Sequence, residues 1–449
     1  MIDVLSNNDV YNDTELRDFI INLEQRYNVT DQKELFAQLV NFSTNISVPV
    51  HGWFKYREGY SQQLVTELIN RSGITTNEYV IDPFCGSGTT IVEAALNGYS
   101  GLGVDVNPMS AFIANTKSMY FSDEDLLVLR QYIQRFELHE LPDVEIQEYE
   151  DLVQYFTVEN FNDLLAIKQF VNEISELKIR DLFKLGLLSI VEEVSDRKRD
   201  GNGLAKRPTK ISNVHWFFYN KMLTIEQDLL TNRIQQNVVG NCMSGSSENL
   251  ATFVSQYNSV NGKTAGVIIF SPPYANSFDY FESYKLELRI GDFADSIANL
   301  KGYRGQAVRS FISAKDQKPL REDRFIDAIA QEIEDAIPLK EQLTGKKDAR
   351  TRKVPKMIKG YFHDMRNILQ QCGEVLPSGK MCYIVVDQSS YLGKVVPTDL
   401  FLGYLAEEFN FVVEEVIICR KAKTSAQQMQ RFPYLADILR ESIVVLRKQ

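Results

Sequence analysis

Apolar residues recur every three or four positions through DTELRDFIINLEQRY (13–27) and DQKELFAQLVNF (31–42), which predicts two amphipathic helices near the start of the chain. The stretch VPVHGWFKYREGYSQQLVTELINRSG (48–73) begins irregularly and ends in a short amphipathic helix stopped near Gly73. At residue 79 the pattern changes. YVIDPFCGSGTTIVEAALNG reads as an apolar strand, a glycine-rich turn and a helix with a glycine stop, and GYSGLGVDVNPMSAFIANTK repeats the scheme. Two consecutive strand–turn–helix units imply parallel strands joined by right-handed crossovers. Helical periodicity then fills 122–235, interrupted by a basic, glycine-punctuated loop, DRKRDGNGLAKRPTK (196–210). Strand character returns at AGVIIFSPPY (265–274), followed by a long polar insertion at 286–358. A last α/β section holds helix YFHDMRNILQQCGEVL, strand KMCYIVVD, helix PTDLFLGYLAEEF and strands VVEEVIICRK and ESIVVLRK. No internal repeat or low-complexity tract interrupts this order.

Composition narrows the class. With 449 residues, 44% hydrophobic and 24% charged, the chain is globular, and its length allows several domains or one large domain with insertions. No apolar run is long enough to span a bilayer. The polar, acidic opening MIDVLSNNDVYNDTEL lacks the pattern of a secretory signal, so a cytoplasmic protein is expected. The five cysteines are scattered, with no CxxC pair, and read as buried free thiols without a metal site. The net charge is −11, from 49 basic and 60 acidic residues, so a nucleic-acid partner would need locally gathered positive charge.

Three motifs carry chemistry. In Asp82-Pro83-Phe84-Cys85-Gly86-Ser87-Gly88-Thr89-Thr90, Gly86 and Gly88 permit a sharp turn and close ligand approach, and Thr89 and Thr90 open a helix whose free N–H groups face the ligand. The third glycine of a dinucleotide fingerprint and the GK[ST] of a P-loop are both missing, so the turn suits a nucleoside cofactor without a pyrophosphate. Asp105 ends the next strand, near the spacing at which a carboxylate receives ribose hydroxyls in doubly wound folds, although it could equally cap the following helix. Ser271-Pro272-Pro273-Tyr274 leaves an apolar strand at its carboxyl end, because two prolines cannot continue a sheet. A hydroxyl, a constrained carbonyl and an aromatic ring emerge together, a set that can grip a flat heteroaromatic amine.

DPFCGSGTT combined with SPPY resembles the amino-methyltransferases of DNA, which use S-adenosylmethionine to methylate the N4 amine of cytosine or the N6 amine of adenine. The family's FxGxG turn matches Phe84–Gly88, and its [DNS]PP[YFW] motif matches Ser271–Tyr274 in the serine form typical of N4-cytosine enzymes. FKYREGYSQQLVTELI resembles the segment that closes over the methionine end of the cofactor, and GEVLPSGKMCYIVV and ESIVVLRK resemble the last strands. About half the chain is covered. The resemblance implies a Rossmann-like, doubly wound, mostly parallel α/β sheet of the class I methyltransferase type, carrying a large helical insertion and a second polar insertion. The implied division is an amino-terminal helical segment (1–50), a catalytic domain (51–120, 236–285 and 359–449), a helical insertion (121–235) and a candidate target-recognition insertion (286–358). It also implies a cofactor set of Tyr56, Ser61, Asp82, Phe84, Cys85, Gly86, Ser87, Gly88, Thr89, Thr90, Asp105 and Asn107. Ser246 joins them at a position where the family commonly carries Asp.

Catalysis is expected from Ser271, Pro272, Pro273 and Tyr274, acting on a base extruded from duplex DNA and needing no metal. Asp279 and Tyr280 could line the base pocket. Two basic clusters are candidates for the DNA groove: Arg197, Lys198, Arg199, Lys206 and Arg207 in the first insertion, and Lys346, Lys347, Arg350, Arg352 and Lys353 in the second. No cysteine follows a proline, which disfavours C5-cytosine chemistry. N6-adenine methylation, RNA amino-methylation and a silent DNA-recognition subunit stay open as alternatives. The resemblance further implies a restriction-modification or phage-defence setting beside an endonuclease. Oligomeric state is not legible.

Overall fold

The computed structural model describes residues 10–200, 203–313, 319–422 and 426–449. In chain order the strands are β1 (Val29–Asp31), β2 (Glu78–Asp82), β3 (Ser100–Asp105), β4 (Arg197–Asp200), β5 (Gly203–Lys206), β6 (Gly240–Ser244), β7 (Thr264–Phe270), β8 (Met381–Asp387), β9 (Ser389–Tyr391), β10 (Lys394–Val396), β11 (Phe411–Lys421) and β12 (Arg440–Lys448). Eight form one sheet in the order β1-β11-β12-β8-β7-β2-β3-β6. Strands β8, β7, β2, β3 and β6 are mutually parallel, and β12 runs antiparallel to both β8 and β11. The central strands read as near-continuous apolar runs because helices cover both faces: Val267 to Phe270 and Tyr79 to Ile81 are fully buried.

This topology decides where a site can form. The connection from β2 leads to β3 on one side, and that from β7 leads to β8 on the other. The strand order therefore reverses between the adjacent strands β2 and β7, the crevice where open α/β sheets bind ligands. The five parallel strands all end at this rim. Because β12 is antiparallel, its first residues arrive there too, with Glu441 opposite Asp387.

Three features depart from the sequence reading. Helix forms in the second amphipathic stretch only over Lys33–Phe36, while β1, just before it, pairs in parallel with β11, so the amino-terminal segment extends the sheet. The basic loop 196–210 contains an antiparallel hairpin, β4 with β5. The polar insertion 286–358 includes helices Lys285–Ile290 and Arg324–Thr344, and helix Val354–Val375 begins inside it and runs on into the closing section. Residues 1–9, 201–202 and 314–318 of the segments discussed above lie outside the described residues. Among the described residues no helix is long and apolar enough to cross a membrane.

Helices Asp123–Glu137, Val158–Asn172, Leu177–Val194 and Val214–Thr231 bundle around a core of Phe136, Phe170, Phe183 and Phe218. Behind the rim, Asp399 is fully buried with both carboxylate oxygens satisfied. Gln388 and the Leu400 N–H donate to Oδ1, and Arg440 and Ser442 donate to Oδ2 at 2.7 and 2.9 Å. Burial alone would raise this carboxyl. The Arg440 guanidinium and the donated bonds outweigh it and hold the group below its ordinary value. Its stabilising contribution is thus complete at neutral pH and is lost as pH falls below the ordinary carboxylate range. Asp399→Asn leaves the buried Arg440 charge with Glu24 as its remaining carboxylate, at 2.8 Å, and should cost about 3 kcal/mol in urea denaturation at neutral pH. The cost should shrink in acid, and a loss that stays constant with pH would contradict the ion-pair account.

Candidate active site

The turn after β2 is braced from below. Asp82 accepts from the Phe84 N–H at 2.9 Å, from Thr90 Oγ1 at 2.5 Å and from the Tyr60 hydroxyl at 3.4 Å, and burial pushes its carboxyl up to about 7. Gly86 and Gly88 take positive φ values of 49° and 92°, as the turn requires. Gly88 precedes helix Thr89–Leu96, which it caps without a side chain. A Cβ on Gly86 would come 2.9 Å from the Tyr56 ring, so the glycine allows that ring to lie on the backbone. Asp105 joins the two loops. Its Oδ2 accepts from the Gly86 N–H and its Oδ1 from the Asn107 N–H, each at 2.8 Å, while burial pushes it up to about 6.

Opposite lies the segment before helix Gln62–Ser72. Tyr56 stacks on Tyr284 at 5.3 Å, and the Tyr284 hydroxyl donates to Glu58 at 2.6 Å. Burial raises the Glu58 carboxyl. From the neighbouring strand, Ser271 Oγ lies 3.4 Å from the Tyr274 hydroxyl, which donates to Glu441 Oε1 at 3.1 Å.

Residues of these segments enclose one cavity of about 490 Å³, which Asp82, Gly86 and Gly88 support without lining. Its wall contains Tyr56, Phe84, Asp105, Asn107 and Ser246 of the expected cofactor set, all of Ser271–Tyr274, and Tyr280. The size is that of a site for a small organic ligand. Other expected residues support the site from outside the cavity. Ser61 caps helix Gln62–Ser72 and donates to the Leu39 carbonyl, and Thr90 is buried against Asp82 and Tyr60. The Cys85 side chain turns into the core beside Gly103 and Cys242. Ser87 and Thr89 line a small adjoining niche with His51. Asp279 caps the short helix Tyr280–Ser283 and pairs with Arg304 at 2.8 Å. The cavity also holds Glu58, Asp387, Arg420 and Glu441, which sequence reasoning did not single out. Asp387 and Glu441 did carry a signal, each being the acidic residue at the rim end of an apolar strand.

The basic clusters divide. Arg199 is a correction: it is buried, pairs with Glu192 and Glu287, and lies over the Tyr284 ring, because its strand packs inward. It ties the hairpin to the cavity wall and cannot meet a phosphate. Arg197 donates to the Gln154 carbonyl at 2.7 Å, while Lys198, Lys206 and Arg207 are exposed. In the second cluster Lys346, Lys347, Arg350 and Lys353 are exposed, and Arg352 is engaged by Glu341. The hairpin packs on helix Tyr280–Ser283, just beyond SPPY. On the other side Arg350 lies near enough to Tyr391 to lower its pKa against the effect of burial, and the Tyr391 hydroxyl donates to the Ala275 carbonyl.

Comparison with known proteins agrees with this geometry. The N6/N4 methyltransferase family model, described as a DNA methylase, matches residues 11–115, which contain the wall segment, the glycine turn and Asp105. The chain is 27% identical to the Type II methyltransferase M.BsoBI of Geobacillus stearothermophilus, an alignment covering 95% of this chain and 92% of the relative. It is 26% identical, with the same coverage, to the Type II methyltransferase M.AvaI of Nostoc sp. strain PCC 7120. These matches support the N6/N4 amino-methyltransferase superfamily for this chain. Both alignments run through the two insertions as well as through the sheet.

Proposed function

We propose that this enzyme is a Type II DNA methyltransferase that transfers a methyl group from S-adenosylmethionine to the N4 amine of a cytosine flipped out of the duplex. One observation carries the reading: Phe84 at the head of the glycine turn, Asp105 and the Ser271–Tyr274 turn line the same cavity. The chain's similarity to M.BsoBI and M.AvaI over nearly its whole length supports DNA as the substrate.

The donor set fits the cofactor. Gly86 lets the Tyr56 ring close against the turn where a Cβ would strike it, the Asp105 carboxylate retains lone pairs for ribose hydroxyls, and Glu58 offers a carboxylate to a cationic ligand. Tyr56, Glu58, Phe84, Asp105, Asn107 and Ser246 would hold it, and the bound cofactor supplies an electrophilic methyl group. Tyr274 stacks on the flipped base. Ser271 Oγ and the Pro272 carbonyl accept from the exocyclic amine, drawing the nitrogen out of conjugation and freeing its lone pair. Pro272 and Pro273 fix these acceptors, so much of the acceleration is positional. The serine at the head of SPPY favours cytosine. A cytoplasmic restriction-modification role beside an endonuclease belongs to the same proposal.

The test is digestion of DNA methylated by the enzyme to nucleosides, followed by mass spectrometry. N4-methylcytosine is the expected product; N6-methyladenine alone would overturn the base assignment, and transfer to RNA but not DNA would overturn the substrate. The exposed hairpin end gives a second check. Lys206→Ala with Arg207→Ala should weaken duplex binding about tenfold and lower the slope of log affinity against log salt by about 2, read by fluorescence anisotropy.

A further inference from the structure

Where the cavity meets strands β8, β11 and β12, a line of hydroxyls leads out of the catalytic turn. Ser271 Oγ donates toward the Tyr274 hydroxyl at 3.4 Å, and Tyr274 donates to Glu441 Oε1 at 3.1 Å. The first distance is long for a hydroxyl pair, a length common at sites that tighten around substrate. Glu441 is 2% exposed and its other oxygen is engaged by Arg420. Asp387 stands opposite in the sheet register, and its buried Oδ1 has no hydrogen-bond partner among the described residues. Both carboxyls line the cavity with Ser271.

The direction of this chain matters. With the Tyr274 proton committed to Glu441 and the Ser271 proton turned toward Tyr274, the lone pairs of Ser271 are left for an incoming N–H. Built on the reading of the site given above, we infer that Glu441 is the positioning residue that polarises Ser271 through Tyr274 and receives the proton released by the methylated amine. The nitrogen–methyl bond forms as the methyl–sulfur bond breaks, with the electron pair staying on sulfur. The nitrogen then gives its proton to Ser271 Oγ, Ser271 passes its own to Tyr274, and Tyr274 passes its own to Glu441. Both hydroxyls are restored, and Glu441 ends protonated.

The surroundings support Glu441 as the acceptor over Asp387. The charged and titratable groups facing it are Tyr274 from the catalytic turn, Asp387 from β8, and Arg420 and Cys419 from β11, with the Asp399–Arg440 pair behind. Burial raises both carboxyls, but Arg420 bonds directly to Glu441 and favours its ionised form. Asp387 therefore holds a proton more readily, which leaves Glu441 as the base.

The test uses the full-length enzyme, labelled S-adenosylmethionine and unmethylated, amplified genomic DNA in single turnover. Glu441→Gln, which keeps shape and an acceptor oxygen, should slow transfer about 10²-fold and leave cofactor affinity unchanged by calorimetry. Tyr274→Phe should slow it similarly, and the double variant should be no slower than Tyr274→Phe alone. Wild-type rates for Glu441→Gln, or multiplying losses in the double variant, would overturn the relay while leaving the methyltransferase reading intact. No transfer by the wild type would overturn both. If Glu441→Gln also loses cofactor binding, Arg420→Gln decides. It should move the acid limb of the rate profile to higher pH, together with the infrared carboxyl band of Glu441 titrated in the protein alone; an unmoved limb and band refute the inference.

Discussion

Replacing Ser271 by alanine is expected to reduce single-turnover methyl transfer by about 10³-fold, with cofactor affinity within about twofold of wild type. Ser271 follows directly on β7, whose residues Val267 to Phe270 are fully buried between helical layers, and Pro272 and Pro273 then commit the chain to leaving the sheet. Alanine is compatible with that backbone, so the cavity, the Pro272 carbonyl and the Tyr274 ring all keep their places. What disappears is one of two acceptors for the amine and the entrance to the hydroxyl line ending at Glu441. The residual activity reflects the remaining carbonyl and the positioning of the base. The cofactor-facing groups Tyr56, Glu58 and Asp105 lie on other elements, which is why rate and affinity should separate. A parallel fall in both, measured by quench kinetics and calorimetry, would mean that the serine shapes the cofactor site rather than the chemistry.

The parts of this molecule that were legible in the sequence are those that one strand and its next turn decide locally. DPFCGSGTT and IIFSPPY each combine a fully buried strand with an abrupt exit, and both turned out as read, at adjacent strands. The amino-terminal strand Val29–Asp31 was illegible because three residues pairing with β11, far along the chain, show no periodicity of their own. Strand β6, GNCMS, is short, half polar and at the sheet edge, so neither face produces a signal. Arg199 looked like its basic neighbours in sequence. Only the packing of its hairpin against Glu192, Glu287 and Tyr284 makes it interior. Glu441 and Arg420 were missed for a related reason. Glu441 is an acidic residue beside an apolar run, but that the start of β12 and the end of β11 reach the rim together follows from their antiparallel pairing, which no local pattern encodes.

Gly86→Val should abolish measurable cofactor binding, a loss of about 10²-fold or more by calorimetry, while the protein stays folded. Valine at φ 49° is strained by about 1–2 kcal/mol, because its branched side chain crowds the backbone in the left-handed region. Its Cβ would also stand 2.9 Å from Tyr56 Cε1 and 3.2 Å from Cζ, before the γ methyls are considered. Tyr56 cannot retreat freely, since its other face is stacked on Tyr284, which is held by Glu58. The turn must therefore shift, taking with it the Gly86 N–H that anchors Asp105 and displacing the cavity residues Tyr56 and Asp105 together. Gly88 is the instructive contrast. A Cβ there would meet Ala114, including its Cα at 2.9 Å, so Gly88→Val presses one helix of the sheet layer off another and should lower the urea midpoint first. Gly86→Ala lacks the γ methyls and should bind with an intermediate loss. If Gly86→Val folds with a wild-type urea midpoint and binds S-adenosylmethionine normally, the glycine turn is not the cofactor cradle, and the cavity lined by Phe84, Asp105 and Ser271 must serve a different ligand.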